Sequence, residues 1–264
     1  MGKNQINIDE KKIFAEQRRA EIAGLIERDG SVDVGGLALR FSTSRETIRK
    51  DLTDLERQGI LKRTHGGAVL ESRFREFPVF FRGVRQIEEK KRLCKKAAAF
   101  LHDGDTLFID NSSTMLYLPQ YIPEQLRITI LTNSINFLLE ASRIPNRSWN
   151  MICLGGFFNP GNLSVHGAGT MKFAQEYYPS KALFSCTGIS PQSKITDNSH
   201  YEIEVKRMMI ERAQETFLLA DQTKLNKSGQ IYLCELEDID HLISTTQDDI
   251  DYLRQKNVDI ILAD

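Results

Sequence analysis

Phe41-Ser42-Thr43-Ser44-Arg45-Glu46-Thr47-Ile48-Arg49-Lys50-Asp51-Leu52, followed by Leu55 and then Thr64-His65-Gly66-Gly67-Ala68, is the stretch on which the reading of this chain turns. Ile48, Leu52 and Leu55 recur at one-turn intervals, so one helix face can meet a core while the other stays free. Ser44 is a good N-cap, and Thr43 with Glu46 offers an alternative capping box. The free face carries Arg45, Glu46, Thr47, Arg49 and Lys50: long donors, a hydroxyl and one acceptor, the chemistry needed to reach base edges and phosphates in a major groove.

Upstream, Phe14, Ile22, Leu25 and Ile26 predict a first amphipathic helix ending near Gly30, and Leu37, Leu39 and Phe41 a second, short one. Three helices joined by tight turns make a helix-turn-helix. Gly59 supplies a left-handed stop, residues 60–64 read as a strand, and Gly66-Gly67 as a turn into Ala68-Val69-Leu70. That is a wing, which sets Arg63 and His65 against the DNA backbone or minor groove. Charge alone does not decide the matter: between Arg40 and Arg63 the bases only modestly outnumber Glu46, Asp51, Asp54 and Glu56, and most charged faces are merely solvated.

The order of residues decides it. Ser44-x-x-Thr47-Ile48-Arg49-Lys50-Asp51-Leu52, Leu55-Glu56, Gly59, Arg63 and His65-Gly66-Gly67-Ala68 resemble the N-terminal signature of the DeoR family of bacterial regulators. Double-stranded operator DNA is therefore the expected macromolecular partner.

At 264 residues the chain is too long for one winged helix, and a second domain must follow. The 35 basic and 36 acidic residues leave a net charge of −1, which argues against a nucleic-acid coating protein. Cys94, Cys153, Cys186 and Cys234 show no C-x-x-C spacing, which speaks against a zinc site or disulfide framework and for a reducing cytoplasm. With no membrane-spanning apolar run and no signal-peptide core, a cytoplasmic location is expected.

Residues 1–71 are read as the DNA-binding head, 72–87 as a linker holding a Phe cluster, and 88–264 as an effector-sensing domain. A helix from Gln86, with Leu93, Ala97, Phe100 and Leu101 on one face, leads to apolar strands expected at 106–110, 128–132, 150–154, 182–186, 216–220, 241–244 and 258–262. Strands alternating with helices predict a mostly parallel, Rossmann-like α/β sheet.

Ligands of such sheets bind beyond the carboxyl ends of the strands. Those ends read Asp110-Asn111-Ser112-Ser113-Thr114, expected to open a helix that could hold a phosphate, then Thr132-Asn133-Ser134, Gly155-Gly156, Thr187-Gly188 and Asp221-Gln222-Thr223-Lys224. Singly, most have plain readings as caps, turns or solvated groups; their joint occurrence favours one pocket.

The order from Glu88-Glu89-Lys90 through Asp103-Gly104-Asp105, Thr132-Asn133-Ser134, Gly155-Gly156, Gly188-Ile189, Glu202-x-x-x-Lys206-Arg207 and Asp221-x-x-Lys224 resembles the DeoR-type sensor domain. That family's fold is related to ribose-5-phosphate isomerase, and it typically senses a phosphorylated sugar or related metabolite. The resemblance implies that Ser112, Ser113 and Thr114 form the phosphate loop after Asp110, that Lys224 contacts phosphate or sugar, and that Asp221 and Lys90 serve the effector response. Asn133, Gly155, Gly156 and Gly188 complete the expected site. A simple ion pair is the competing reading of Glu202 and Lys206. This chain departs from the family at Ser112, where glycine is usual, at Asn159 in place of a basic residue, and at Ser190 in place of Asp.

The expected function is a carbohydrate-operon regulator, most simply a repressor, acting as a homodimer or higher homo-oligomer, with no cofactor, metal or catalytic residue. The alternatives are a phosphosugar isomerase-like enzyme with a DNA-binding head, using Asp110, Asp221, Glu202 and Lys224, and a ligand-free dimerisation body.

Overall fold

The computed structural model describes residues 8–70, 79–83, 85–145, 148–246, 253–254 and 257–264, apart from the side chains of 8–14, 16, 27 and 80. The chain divides into two compact units, Met1–Arg85 and Gln86–Asp264.

The first unit runs α1 (Ile8–Asp29), β1 (Ser31–Asp33), α2 (Val34–Arg40), α3 (Arg45–Arg57), β2 (Leu61–Arg63), β3 (Gly67–Leu70) and α4 (Val79–Gly83). Ala20, Ile22, Ala23 and Ile26 of α1 pack with Leu37, Ile48, Leu52, Leu55, Ile60, Leu61, Ala68 and Phe81 in one core. The periodicity of α3 is therefore the packing pattern expected. Phe81 joins this core from the segment read as linker; the side chain of Phe14, Phe80 and residues 72–78 lie outside the described residues.

The α3 helix ends as a Schellman motif: the amide of Ile60 donates to the Leu55 carbonyl at 3.0 Å and that of Gly59 to Glu56 at 2.9 Å, with Gly59 at φ +74°. The wing is a three-stranded antiparallel sheet in the order β1-β3-β2, and β1 is a strand the sequence reading missed. Gly67 is required there, because a Cβ on it would lie 1.9 Å from the Val32 carbonyl oxygen. One expectation fails in α2. Leu37 is buried, but Leu39 is 84% exposed, since two residues at 100° each carry it to the opposite face.

The second unit contains α5 (Ile87–Ala98), β4 (Thr106–Ile109), a 3-10 turn (Met115–Gln120), β5 (Ile128–Thr132), α6 (Ile135–Ser142), β6 (Trp149–Cys153), β7 (Phe157–Asn159), β8 (Ser164–His166), α7 (Ala168–Ala174), β9 (Lys181–Phe184), β10 (Gly188–Ile189), β11 (Lys194–Asp197), α8 (His200–Arg212), β12 (Glu215–Ala220), β13 (Ile231–Glu235), β14 (His241–Ser244) and β15 (Asp259–Leu262). Seven parallel strands form one sheet in the order β15-β14-β12-β9-β4-β5-β6. These are the seven expected strands, with ends displaced by at most two residues.

Strand residues alternate between two apolar layers. Leu107, Ile109, Leu183, Phe217 and Leu219 meet α5 and α6 on one face. Phe108 and Ala182 face the opposite layer with Val205, Met208 and Met209 of α8, and Phe184, Leu218 and Ala220 lie in a further core that includes Ile203 of the same helix. Two small antiparallel pieces lie outside the sheet, the β7–β8 hairpin and the sheet β10-β11-β13. Both were unforeseen.

Candidate functional site

In the first unit, Ser44 caps α3, accepting from the Thr47 amide at 3.0 Å while its hydroxyl lies 2.9 Å from that of Thr47. Arg45, Glu46, Arg49 and Lys50 are exposed and Thr47 is half-buried. Arg49 pairs with Glu46 at 3.1 Å. On the wing side, the Arg63 amide donates to Glu56 and its guanidinium to the Thr53 hydroxyl, both at 2.8 Å. Arg45, Arg49, Arg63, His65 and Asp33 line a cleft of about 310 Å³ between α3 and the wing.

Two acids that the sequence set against these bases are held mainly from α1, although Asp54 also lies 3.8 Å from Arg57. Asp51 is buried and clamped by Arg18 of α1 at 2.6 Å, and Asp54 is held by Arg19 at 2.6 Å. The outward face of α3 is therefore more basic than a residue count implies. Arg18 and Arg19 were missed because a long-range ion pair leaves no local periodicity.

In the second unit, the sheet order runs outward from β4 to β5 and β6 on one side and from β9 to β12, β14 and β15 on the other. The order reverses between β4 and β9, and that crevice is where a doubly wound sheet takes its ligand. Asp110 spans it. One carboxylate oxygen accepts from the Ser112 amide at 3.0 Å, and the other from the Ser185 amide, just beyond β9, at 3.1 Å.

The second oxygen of Asp110 also lies 3.3 Å from the Lys206 ammonium, which makes a 2.5 Å pair with Asp197 and donates to the Ser185 carbonyl at 2.9 Å. Burial pushes the Lys206 pKa down, but the carboxylates of Asp197, Asp110 and Glu202 outweigh it and hold the ammonium above the ordinary lysine range. Burial would raise Asp197, and Lys206 reverses this, leaving it below the usual carboxylate range. The simple Glu202–Lys206 ion pair expected from their spacing thus gives way to a lysine shared by two carboxylates from other elements.

Glu202 accepts from the Asn111 amide at 2.8 Å and from the Asn162 side chain in the β7–β8 turn. Lys90, buried on α5, donates to the Ser113 hydroxyl at 3.1 Å, and the Thr114 carbonyl accepts from the Cys94 thiol at 3.1 Å. Burial pushes that thiol well above its usual range. The loop does not open an α-helix as expected. It leads into a six-residue 3-10 turn containing Pro119, with no side-chain cap from Thr114, so helix-dipole stabilisation of an anion is weak there.

Asn133, on the adjacent strand end, donates from Nδ2 to the Val165 carbonyl at 3.3 Å. Its Oδ1 and the Ser112 hydroxyl are buried with no hydrogen-bond partner among the described residues. Thr132 and Ser134 shape the loop: Ser134 caps α6 by accepting from Phe137 at 3.0 Å. Asp221 caps the 3-10 turn Gln222–Lys224, accepting from the Thr223 amide at 2.9 Å. Lys224 is half-buried and carries no ion pair among the described residues.

Asp110, Ser112 and Ser113 are thus gathered in one loop that Lys90 reaches from α5, and Asn133 follows the next strand. The glycines stand apart. Gly155 and Gly156 are exposed, and a Cβ on Gly156 (φ +118°) would sit 2.1 Å from the Thr170 hydroxyl. Gly188 lies in β10, where a Cβ would be 2.3 Å from the Lys227 carbonyl oxygen. Sequence reasoning quoted Asn111 in the strand-end cluster without giving it a role, and it missed Asn162 and Asp197, which carry no spacing signal.

A family model described as the DeoR-like helix-turn-helix domain matches residues 18–74, and one described as the DeoR C terminal sensor domain matches residues 85–246. The chain is 31% identical over 229 residues to the HTH-type transcriptional regulator YulB of Bacillus subtilis, covering 86% of this chain and 88% of that protein. It is 27% identical to the Glycerol-3-phosphate regulon repressor of Escherichia coli, over 85% of this chain and 88% of the relative. It is 31% identical to the Lactose phosphotransferase system repressor of Streptococcus mutans, over 89% and 93% respectively.

Proposed function

The chain belongs to the DeoR family of transcriptional regulators, and from that membership we propose that it is a cytoplasmic repressor of a carbohydrate-metabolism operon, binding operator DNA as a homodimer and releasing it when a phosphorylated sugar or related metabolite enters the sensor unit. The observation that carries the DNA half is the outward face of α3, whose inward acids Asp51 and Asp54 are neutralised from α1. Ser44, Arg45, Glu46 and Thr47 form the first turn that enters the major groove; Arg49, Lys50, Arg63 and His65 bind phosphates or the minor-groove edge. In a dimer, two such helices about 34 Å apart read successive grooves, and a ligand acts by changing that separation.

The effector half rests on the crevice between β4 and β9. Ser112, Ser113, Thr114, Asn133 and Lys90 contact the ligand, Asp110 fixes the loop, and Lys224, which has no carboxylate partner among the described residues, takes the anionic end. Asp221 holds the turn that presents Lys224, and the close approaches at Gly156 and Gly188 support a shaping role for the glycines. The names of two relatives, one for glycerol-3-phosphate and one for a lactose phosphotransferase system, favour a phosphorylated carbohydrate. Binding is favoured over turnover because Asp110, the natural candidate for a base, is already engaged by an ammonium and two backbone amides that tie the two strand ends together.

The test is a titration of the protein onto DNA from its own upstream region, repeated with a panel of sugar phosphates. Tight binding weakened by one ester is expected. Specific binding that no ester alters would refute the effector half, and an absence of specific binding would refute the whole.

A further inference from the structure

We propose that the β6 edge of the large sheet is the surface on which two copies of this chain meet, with β6 pairing antiparallel to its own copy about a two-fold axis at Met151. The inference rests on the homodimer part of the reading above and names its surface. A strand edge presents unmet N–H and C=O groups, and proteins that leave it unpaired guard it with charges, proline or a bulge. The two edges of this sheet differ in that respect. The β15 edge opens on Asp259, an exposed carboxylate paired with His241.

The β6 edge has no such guard. Residues 148–171 contain no Asp, Glu, Lys or Arg, although 27% of the chain is charged. Trp149–Cys153 holds no proline and pairs with Ile128–Thr132 of β5 in unbroken register. None of its residues is buried, whereas β5, one strand further in, is buried at four of its five.

One bond sets the phase of the strand. The Leu154 amide donates to the Thr132 carbonyl at 3.0 Å, so Leu154 and Ile152 turn their backbone groups toward β5. Met151 and Cys153 turn theirs outward, where no strand lies among the described residues. Met151 is the midpoint of β6 and is 38% exposed. Placed opposite its own copy, it exchanges both backbone hydrogen bonds with it, as residues of a hydrogen-bonded antiparallel pair do.

Charge selects a second copy as the occupant. On a two-fold axis each side chain meets itself, so a charged centre would repel its copy and a charge-free one does not. A nucleic acid or a charged peptide would find no opposite charge in this run. A stable interface buries about 800 Å² per partner, more than a five-residue edge supplies. Phe157 and Phe158, 74% and 55% exposed, continue the same charge-free run, and one buried Phe adds about 150–250 Å².

The experiment is sedimentation equilibrium of the full chain and its Met151→Lys variant, with circular dichroism of both. The parent is expected to be dimeric. Met151→Lys sets an ammonium against its own copy across the axis, and should raise the dimer dissociation constant by about 10-fold or more while keeping the parent's spectrum. In a Cys153→Ser background, Met151→Cys should form an intermolecular disulfide with diamide as oxidant, because Cα atoms of a hydrogen-bonded antiparallel pair lie about 5.5 Å apart. Cys94, Cys186 and Cys234 are buried and do not compete.

Undiminished dimerisation of Met151→Lys overturns the surface and leaves the homodimer reading standing. So does a dimeric Met151→Cys chain that diamide leaves uncrosslinked, a readout that holds even if Met151→Lys fails to fold. A parent that is monomeric at every concentration overturns the homodimer reading and the surface together.

Discussion

Replacing Lys206 by Met removes one charge that two buried carboxylates share, with both carboxylates left in place. The side chains of Lys206, Asp110 and Asp197 are 3%, 1% and 3% exposed, so solvent cannot take over from the ammonium. Breaking a buried pair from one side costs about 3–5 kcal/mol. In a unit of this size each kcal/mol moves the midpoint by about 2–4 °C, so the sensor transition should fall by about 6–20 °C.

The loss should also depend on pH. Lys206 is held above the ordinary lysine range, so its contribution is present in full below about pH 10 and is lost only as pH climbs through its folded value. Asp197 is held below the ordinary range, so its contribution is present above about pH 4 and is lost as pH falls through its folded value. With Lys206 gone, Asp197 loses the ammonium that holds its pKa down and becomes easier to protonate. The deficit measured by urea unfolding should therefore be larger at pH 8 than at pH 5, and adding Asp197→Asn should recover part of it. A deficit below about 1 kcal/mol, the size of an exposed pair, or one identical at the two pH values, would refute the account.

Arg49→Ala and Lys50→Ala should each weaken operator binding and reduce the salt dependence by about one counterion, read from binding isotherms at several salt concentrations, whereas Arg45→Ala should relax base preference. Gly67→Ala drives a Cβ into the Val32 carbonyl, so circular dichroism melts should show a destabilised head and gel shifts a loss of DNA affinity. Lys224→Ala should keep operator affinity and lose the effector response; loss of DNA binding with an intact response would contradict the division of labour.

The sequence revealed whatever is locally periodic. Ser44 with Ile48, Leu52 and Leu55 specifies α3 because cap and core face are set within one helix, and the apolar runs of the large sheet were visible because its inner strands β4, β5, β9, β12 and β14 are buried on both sides. Leu39 misled because apolar character was read without its helical phase. The two small antiparallel sheets escaped because pieces such as Gly188–Ile189 and Phe157–Asn159 are too short to show a period. Asp110, Ser112 and Ser113 were legible as a group at a strand end and Lys90 only through the family resemblance, but Asn162 and Asp197 reach the network only through tertiary folding, and the true partners of Lys206 follow β4 and close β11 rather than lying one turn away.

The strand order also bears on how the protein is made. The wing is complete once Leu70 has been synthesised, but β4 at the middle of the large sheet lacks its β9 neighbour until residue 184 has emerged. At roughly 5–20 residues per second, the interval between the end of β4 and the end of β9 lasts about 4–15 s. Throughout it, the flank of β4 that will form the ligand crevice is an unpaired strand edge, the kind of surface that recruits chaperones or a neighbouring chain. Nascent chains arrested between β6 and β9 should therefore show a protease-resistant head and a protease-sensitive sensor, and the Asp110–Ser185 contact marks the moment at which the two halves of the sheet join.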